Sequence, residues 1–298
     1  MLVTELGEFG LIERFKKSIK TDSSVIKGSG DDCAVIAFDN KRYQLLTCDM
    51  IAEGVDFTIK DSPYFIGRKA LAVSVSDIAS CSGLPCYCLI SLAMPRNTSV
   101  EFVDKLFKGM LSIAKEYNIN IVGGDISSAR QLIIDVSMSG IVEKRYLTLR
   151  SGAKIGDIIF VTGELGGSIR GKHLRFKPRL KEARFLAKNF KVNSMIDISD
   201  GLASDLGHIL EQSSVGALIY EDLIPVSKEA YGLSEALYMG EDFELLFTVS
   251  RKEAKKILGK RLNNFKPIGE IIERRFGLRL IDKRNKERII KPEGFRHF

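Results

Sequence analysis

Residues 70–79 read Ala70-Leu71-Ala72-Val73-Ser74-Val75-Ser76-Asp77-Ile78-Ala79. The wider run 63–82 reads as a helix, and this part of it is apolar apart from two serines and one carboxylate. Val73 and Ile78 beside Asp77 point to burial. A buried carboxylate left alone is expensive, so Asp77 calls for a cation, a hydrogen-bond network or a proton. A helix of this kind needs apolar layers around it, and the flanking sequence supplies them. Residues 43–47 and 86–93 read as strands, and 99–117 as a helix with Ser99 at its N-cap. Residues 119–122 and 132–142 are β runs, the second alternating through Ile134, Val136, Met138 and Gly140. Strands alternating with helices place the chain in the α/β (α+β) class.

The turn at 151–157, before a strand at 158–162, marks the expected boundary between two domains, 1–148 and 149–298. Helices at 179–188 and 201–211 follow, with strands at 217–220, 244–249 and 265–268 and a basic helix from Arg251. Two domains suit 298 residues, and 45% hydrophobic with 28% charged residues is the balance of a globular protein. Phe9, Ile12, Phe15 and Ile19 recur at helical spacing and predict a docked N-terminal helix. No signal-peptide pattern and no apolar run of transmembrane length is present, so the cytosol is the expected compartment and no membrane partner is expected. The five cysteines, an odd number, lack zinc-like spacing and read as reduced, mostly buried thiols. The net charge of +7 is concentrated after Arg251, where 16 basic residues face six acidic ones. No stacking aromatics interleave them, and Ala254, Ile257, Leu258 and Leu262 form an apolar stripe. A solvated helix face, and no nucleic-acid partner, is the reading.

Five segments place aspartate beside small residues: Gly28–Asp32, Thr47-Cys48-Asp49, Ser76–Ala79, Gly123-Gly124-Asp125 and Asp197–Gly201; Gly240-Glu241-Asp242 is a sixth. Taken singly, a Gly-Asp pair is ordinarily a turn, and Asp197 and Asp200 could be helix caps. Together they offer hard oxygen ligands for Mg²⁺ and exposed N–H groups for phosphate. No P-loop pattern and no dinucleotide fingerprint occurs. Gly163–Gly167 matches neither and reads as a turn. His173, His208 and His297 have no triad pattern and are expected at the surface or as caps. Phosphoryl transfer needs positioning and neutralisation of charge more than a protein base, and a carboxylate-rich site fits it.

These motifs, with Gly7–Ile12, Gly30–Ala34, Asp49–Phe57, Lys69–Asp77, Arg150–Asp157, Ile196–Leu202 and Gly240–Leu245, together resemble the thiamine-monophosphate kinase family. That family is a member of the aminoimidazole-ribonucleotide-synthetase-like superfamily. The resemblance runs nearly end to end and implies ATP-dependent conversion of thiamine monophosphate to thiamine diphosphate by direct in-line transfer. It implies several Mg²⁺ ions held by Asp32, Thr47, Cys48, Asp49, Asp77, Asp125 and Asp197, with Asp200 on a further ion. ATP contacts are implied at Tyr117, Gly124, Asp125, Arg150 and Ser199, and substrate contacts at Asp56, Glu241 and Phe295, with no dedicated catalytic base. It further implies a homodimer in which the N-terminal α/β domain builds a β-barrel across the subunits, while the C-terminal α/β domain closes over the nucleotide. Three departures stand out: Cys48 where Ser or Thr is usual, Asp56 where His is common, and a short segment between Ser168 and Pro178. Two other readings stay open at this level, a different acceptor on the same fold and a nucleotide- or metal-binding regulatory module.

Overall fold

The helix with Asp77 is the axis of the molecule. The computed structural model describes residues 2–260, 262 and 264–295, without the side chain of Phe9; His297 lies outside the described residues. Helix α1 (Val3–Lys16) precedes β1 (Val25–Lys27), β2 (Ala34–Ala37) and β3 (Arg42–Ala52). Then come α2 (Pro63–Ser80), β4 (Leu84–Met94), α3 (Val100–Tyr117), β5 (Asn120–Ser128) and β6 (Ile133–Glu143). The six strands form one mixed sheet in the order β1-β2-β3-β6-β4-β5. Its inner face, through Leu45, Ile51, Ile134, Val136 and Met138, is buried under α2 and α3. The alternation expected along 132–142 is the alternation observed in β6.

Two glycines let α2 and α3 cross closely. A Cβ on Gly67 would come within 1.9 Å of the Leu106 carbonyl oxygen, and one on Gly109 within 1.9 Å of that of Tyr64. The contact is reciprocal, backbone against backbone. Ser99 caps α3 by accepting from the Phe102 N–H at 3.2 Å.

The second half holds β7 (Ile158–Thr162), α4 (Lys172–Arg175), α5 (Leu180–Asn189), β8 (Val192–Asp197), α6 (Leu202–Ser213) and β9 (Gly216–Tyr220). It continues with α7 (Leu233–Tyr238), β10 (Leu245–Val249), α8 (Arg251–Gly259), β11 (Phe265–Ile272), β12 (Leu278–Ile281) and β13 (Glu287–Ile289). Its seven strands run β13-β12-β9-β11-β7-β10-β8. The far side of α2 packs on α4, α5 and β8. Phe176 and Phe243 of this half stack at 4.0 Å and enter the core of the first sheet with Leu174. The helix with Asp77 is therefore enclosed from both halves.

Four expectations change. Strands β1, β2, β8, β12 and β13 add to those read from sequence. In β8, the polar Ser194 breaks the apolar pattern and is satisfied only by Thr248 across the sheet, at 2.7 Å. Helix α1 forms but is kinked at Gly7, and Ile12, Phe15 and Ile19 are exposed rather than docked. Cys33, Cys81 and Cys88 are buried as expected, whereas Cys48 is exposed and Cys86 partly so. His173 is buried, its Nδ1 3.0 Å from the Ser168 carbonyl, because α4 turns it inward. Among the described residues no helix is long and apolar enough to cross a membrane.

Candidate active site

Asp77 lies where α2 passes between the sheets, and Thr47 Oγ1 donates to its Oδ2. Asp49, two residues along β3, accepts from Ser74 Oγ at 2.8 Å and shares a hydrogen bond with Asp77. Successive strand residues face opposite sides. Thr47 and Asp49 therefore point to α2, while Cys48 points away, its Sγ donating to Asp135 at 3.2 Å on the open face of the sheet. From the second half, Asp197 ends β8 and accepts from Ser76 Oγ at 2.6 Å. Asp32 enters from the loop before β2. One oxygen each from Asp32, Asp77 and Asp197 lie within 4.8 Å of one another.

Such crowding raises the cost of ionisation. Burial, then the charges of Asp49, Asp197 and Asp32, push the Asp77 carboxyl well above its ordinary range. Burial likewise lifts Asp49 to about 6 and Asp197 to about 7. Asp31, beside Asp32, is raised to about 7 by burial and by that neighbour. Arg150 is the counter-charge: its Nε and Nη2 reach Asp32 Oδ1 at 2.8 and 2.5 Å. Asp32 Oδ2 is buried with no hydrogen-bond partner among the described residues. A carboxylate oxygen orphaned beside two further carboxylates suits a hard divalent cation.

Asp31, Asp32, Asp49 and Asp77 border a cavity of about 680 Å³ that lies between α1 and α6. Ser199, Asp200 and Arg150 line it, and Asp200, Asp205 and His208 bring ligand atoms within 4.8 Å of one another. Asp205 accepts from the N–H groups of Asp200 and Gly201 at 3.1 and 3.0 Å, folding the turn that presents Asp200. His208, expected at the surface, lines the cavity; burial and then Arg150 lower it to about 4.

The remaining residues singled out in the sequence lie apart from the acidic cluster. Glu241 is held by Lys69 of α2, whose Nζ also reaches the Asp56 carbonyl. The Phe295 N–H donates to the Asp200 carbonyl at 2.9 Å, and its side chain is exposed. Tyr117 packs between two cores, its hydroxyl 3.4 Å from the Pro178 carbonyl. Gly124 and Asp125 are exposed on edge strand β5. Sequence reasoning passed over Asp31, Asp205, Ser74, Ser76 and Lys69. Ser74 was legible as the residue one helical turn before Asp77, and Lys69 as a charge directly abutting the apolar run of the helix.

The chain matches the family models "AIR synthase related protein, N-terminal domain" over residues 30–142 and "AIR synthase related protein, C-terminal domain" over 127–281. It is 36% identical over 326 aligned positions to the thiamine-monophosphate kinase of Buchnera aphidicola subsp. Schizaphis graminum, covering 99% of both chains. The Bacillus subtilis thiamine-monophosphate kinase is 34% identical, with 98% of this chain and all of that one aligned. The chain belongs to the thiamine-monophosphate kinase family.

Solved structures of that family superpose closely. AaThiL complexed with AMPPCP and TMP matches with a TM-score of 0.87 at 31% identity, over 100% of this chain and 99% of that one. The thiamine monophosphate kinase of Aquifex aeolicus matches at 0.81 and 31%, over 98% and 100% of the two chains. The HypE–HypF complex, at 22% identity with a TM-score of 0.76 over 94% and 99%, shares the fold.

Proposed function

We infer that this protein phosphorylates thiamine monophosphate with ATP, giving thiamine diphosphate and ADP. The observation that carries this reading is the meeting of Asp32, Asp77 and Asp197 around an unpartnered buried oxygen, in a chain related over its whole length to thiamine-monophosphate kinases.

In this reading Asp32, Asp49, Asp77 and Asp197 hold Mg²⁺, with Thr47 orienting Asp77 and Asp200 serving a further ion. Bound Mg²⁺ neutralises charge on the phosphates and on the transferred group. The chain's own part is positional. Arg150, held on Asp32 at the cavity wall, would place its guanidinium beside the nucleotide's phosphates. Ser199 and the Gly201 turn set the polar wall of the phosphate cavity. Asp56, Glu241 and Phe295 mark the acceptor end, where the phosphate of thiamine monophosphate attacks in line without a dedicated base.

The reading includes a homodimer. Leu46, Met50, Tyr87, Leu89 and Val122 are exposed on the open face of the first sheet, over a groove of about 500 Å³. Apolar surface of this kind is what an intersubunit barrel covers. Strand register puts Met50, Asp135, Ser91 and Asp125 in one row across β3, β6, β4 and β5. Asp125 thus shares the open face, three strand spacings or about 14 Å from β3. In the proposed dimer, Asp125 and Gly124 serve the site of the neighbouring copy. Tyr117 stays an ATP-contact candidate from the resemblance alone. The two separate sheets support the reading of domains 1–148 and 149–298, and the reading of a cytosolic location suits five cysteines without a disulfide among them.

The test is direct: incubate the purified protein with ATP, Mg²⁺ and thiamine monophosphate, and assay thiamine diphosphate and ADP. Product from thiamine monophosphate and none from thiamine supports the reading; ATP binding without either product overturns it.

A further inference from the structure

Lys69, a full lysine side chain, is withdrawn from solvent, with 1% of its surface exposed. Its Nζ donates to the Glu241 carboxylate at 2.5 Å and to the Asp56 carbonyl at 2.9 Å. An ammonium buried without such partners would be prohibitively costly, so its burial marks a built contact. The Asp56 carboxylate turns back to accept from the Ala52 N–H at 2.7 Å.

Glu241 is constrained at both ends. Its backbone is left-handed, with φ of +61°, and its N–H donates to the Ser199 carbonyl at 2.7 Å. Gly240 before it has no room for a side chain: a Cβ there would stand 2.3 Å from the same carbonyl. The Glu241 side chain keeps about a quarter of its surface open (27%) beyond the Lys69 contact. Lys69 and Ser76 are seven residues apart, nearly two helical turns, and share one side of α2 about 10 Å apart. Both cross to the second half, Ser76 to Asp197 at the metal end and Lys69 to Glu241.

We propose that Lys69 is the positioning residue of the acceptor site: it fixes Glu241 so that the open side of its carboxylate meets the cationic ring of thiamine monophosphate. Two carboxylates and one ammonium leave this group a single negative charge, the complement of a thiazolium. The inference rests on the acceptor assigned above. Lys69 does not line the cavity assigned to the nucleotide's phosphates, so its loss is expected to act on the acceptor.

Steady-state kinetics of Lys69→Met, Lys69→Gln, Glu241→Gln and the double variant Lys69→Gln/Glu241→Gln test this. Each single substitution is expected to raise KM for thiamine monophosphate about tenfold, as loss of one charge-assisted hydrogen bond does, with KM for ATP within about twofold. The double variant is expected to be no worse than the worse single, because both act through one carboxylate. Lys69→Gln keeps a donor in the same space and covers the case in which Lys69→Met fails to fold. Against the uncharged thiophene analogue of thiamine monophosphate, Glu241→Gln is expected to lose about tenfold of the wild-type preference for the cation. Multiplying KM effects in the double variant, an effect on ATP rather than acceptor, or an unchanged preference would each overturn the proposal. Absence of wild-type turnover would instead remove the acceptor assignment on which it rests.

Discussion

Ser76 Oγ donates to Asp197 Oδ2 at 2.6 Å, joining two residues 121 positions apart and tying the central helix of one half to the end of β8 in the other. Both groups are buried. Ser76→Ala removes this tether and leaves one Asp197 oxygen unsatisfied. It should destabilise the metal-free protein by about 1–3 kcal/mol and lower kcat/KM about tenfold or more. Denaturant titration and initial rates check both numbers; a variant matching wild type in each would mean that the tether is incidental.

Asp77→Asn tests the cluster itself. The amide keeps the shape and removes one charge from a group whose ionisation is opposed by its neighbours. Metal-free thermal stability should rise, stabilisation by Mg²⁺ should shrink, and kcat should fall at least about a hundredfold. Calorimetry with and without chelator, paired with the kinase assay, reads all three. Wild-type kinetics in this variant would take Asp77 out of the metal site.

The raised carboxyls predict a pH dependence with a definite sign. Asp49, Asp197 and Asp31 are lifted from 3.8 to about 6, 7 and 7, each mainly by burial. Folding therefore favours their protonated forms. That contribution is complete below the ordinary carboxyl value and is lost as pH rises through about 6–7. In chelator, the melting temperature should fall between about pH 5 and pH 8. Added Mg²⁺ should restore most at the upper end and little at the lower, since it binds the ionised forms. A metal-free melting curve that is flat across this range, or that rises, contradicts the argument.

Asp125 offers a test of which chain serves which site. Asp77→Asn and Asp125→Asn should each be inactive alone. If Asp125 acts in the neighbouring copy, a mixed dimer of the two variants rebuilds one intact site. Equal mixing, after exchange of subunits, should then recover about a quarter of wild-type activity. If both residues serve the same chain's site, mixing recovers nothing.

Leu89→Asp places a carboxylate on the open, apolar sheet face, away from α2 and the metal cluster. If the proposed dimer uses this face, the variant should sediment as a monomer in analytical ultracentrifugation while its far-ultraviolet circular dichroism stays that of the wild type. A dimer that survives this change does not use the sheet face.

Much of the first half was legible from local pattern. The apolar run around Asp77 forms α2, and Ile134, Val136 and Met138 alternate into the core along β6. Such periods are set by the backbone within a few residues, so they survive in one dimension. The short strands were not legible, because their polar members are satisfied only across a sheet, as Ser194 is by Thr248.

The site divides along the same line. From the sequence alone came the inventory of aspartates beside small residues, the absence of a P-loop and the membership of the family. The tertiary structure decided which carboxylates meet: Asp32, Asp77 and Asp197 do, while Cys48 and Asp125 occupy the open sheet face. It also decided that Arg150 answers Asp32 across 118 residues, and that Lys69 answers Glu241 across 172. Charges placed that far apart along a chain are brought within bonding distance only by the packing of the two sheets around α2. Their mutual repulsion and burial, which give the site its chemistry, exist only after that packing is complete.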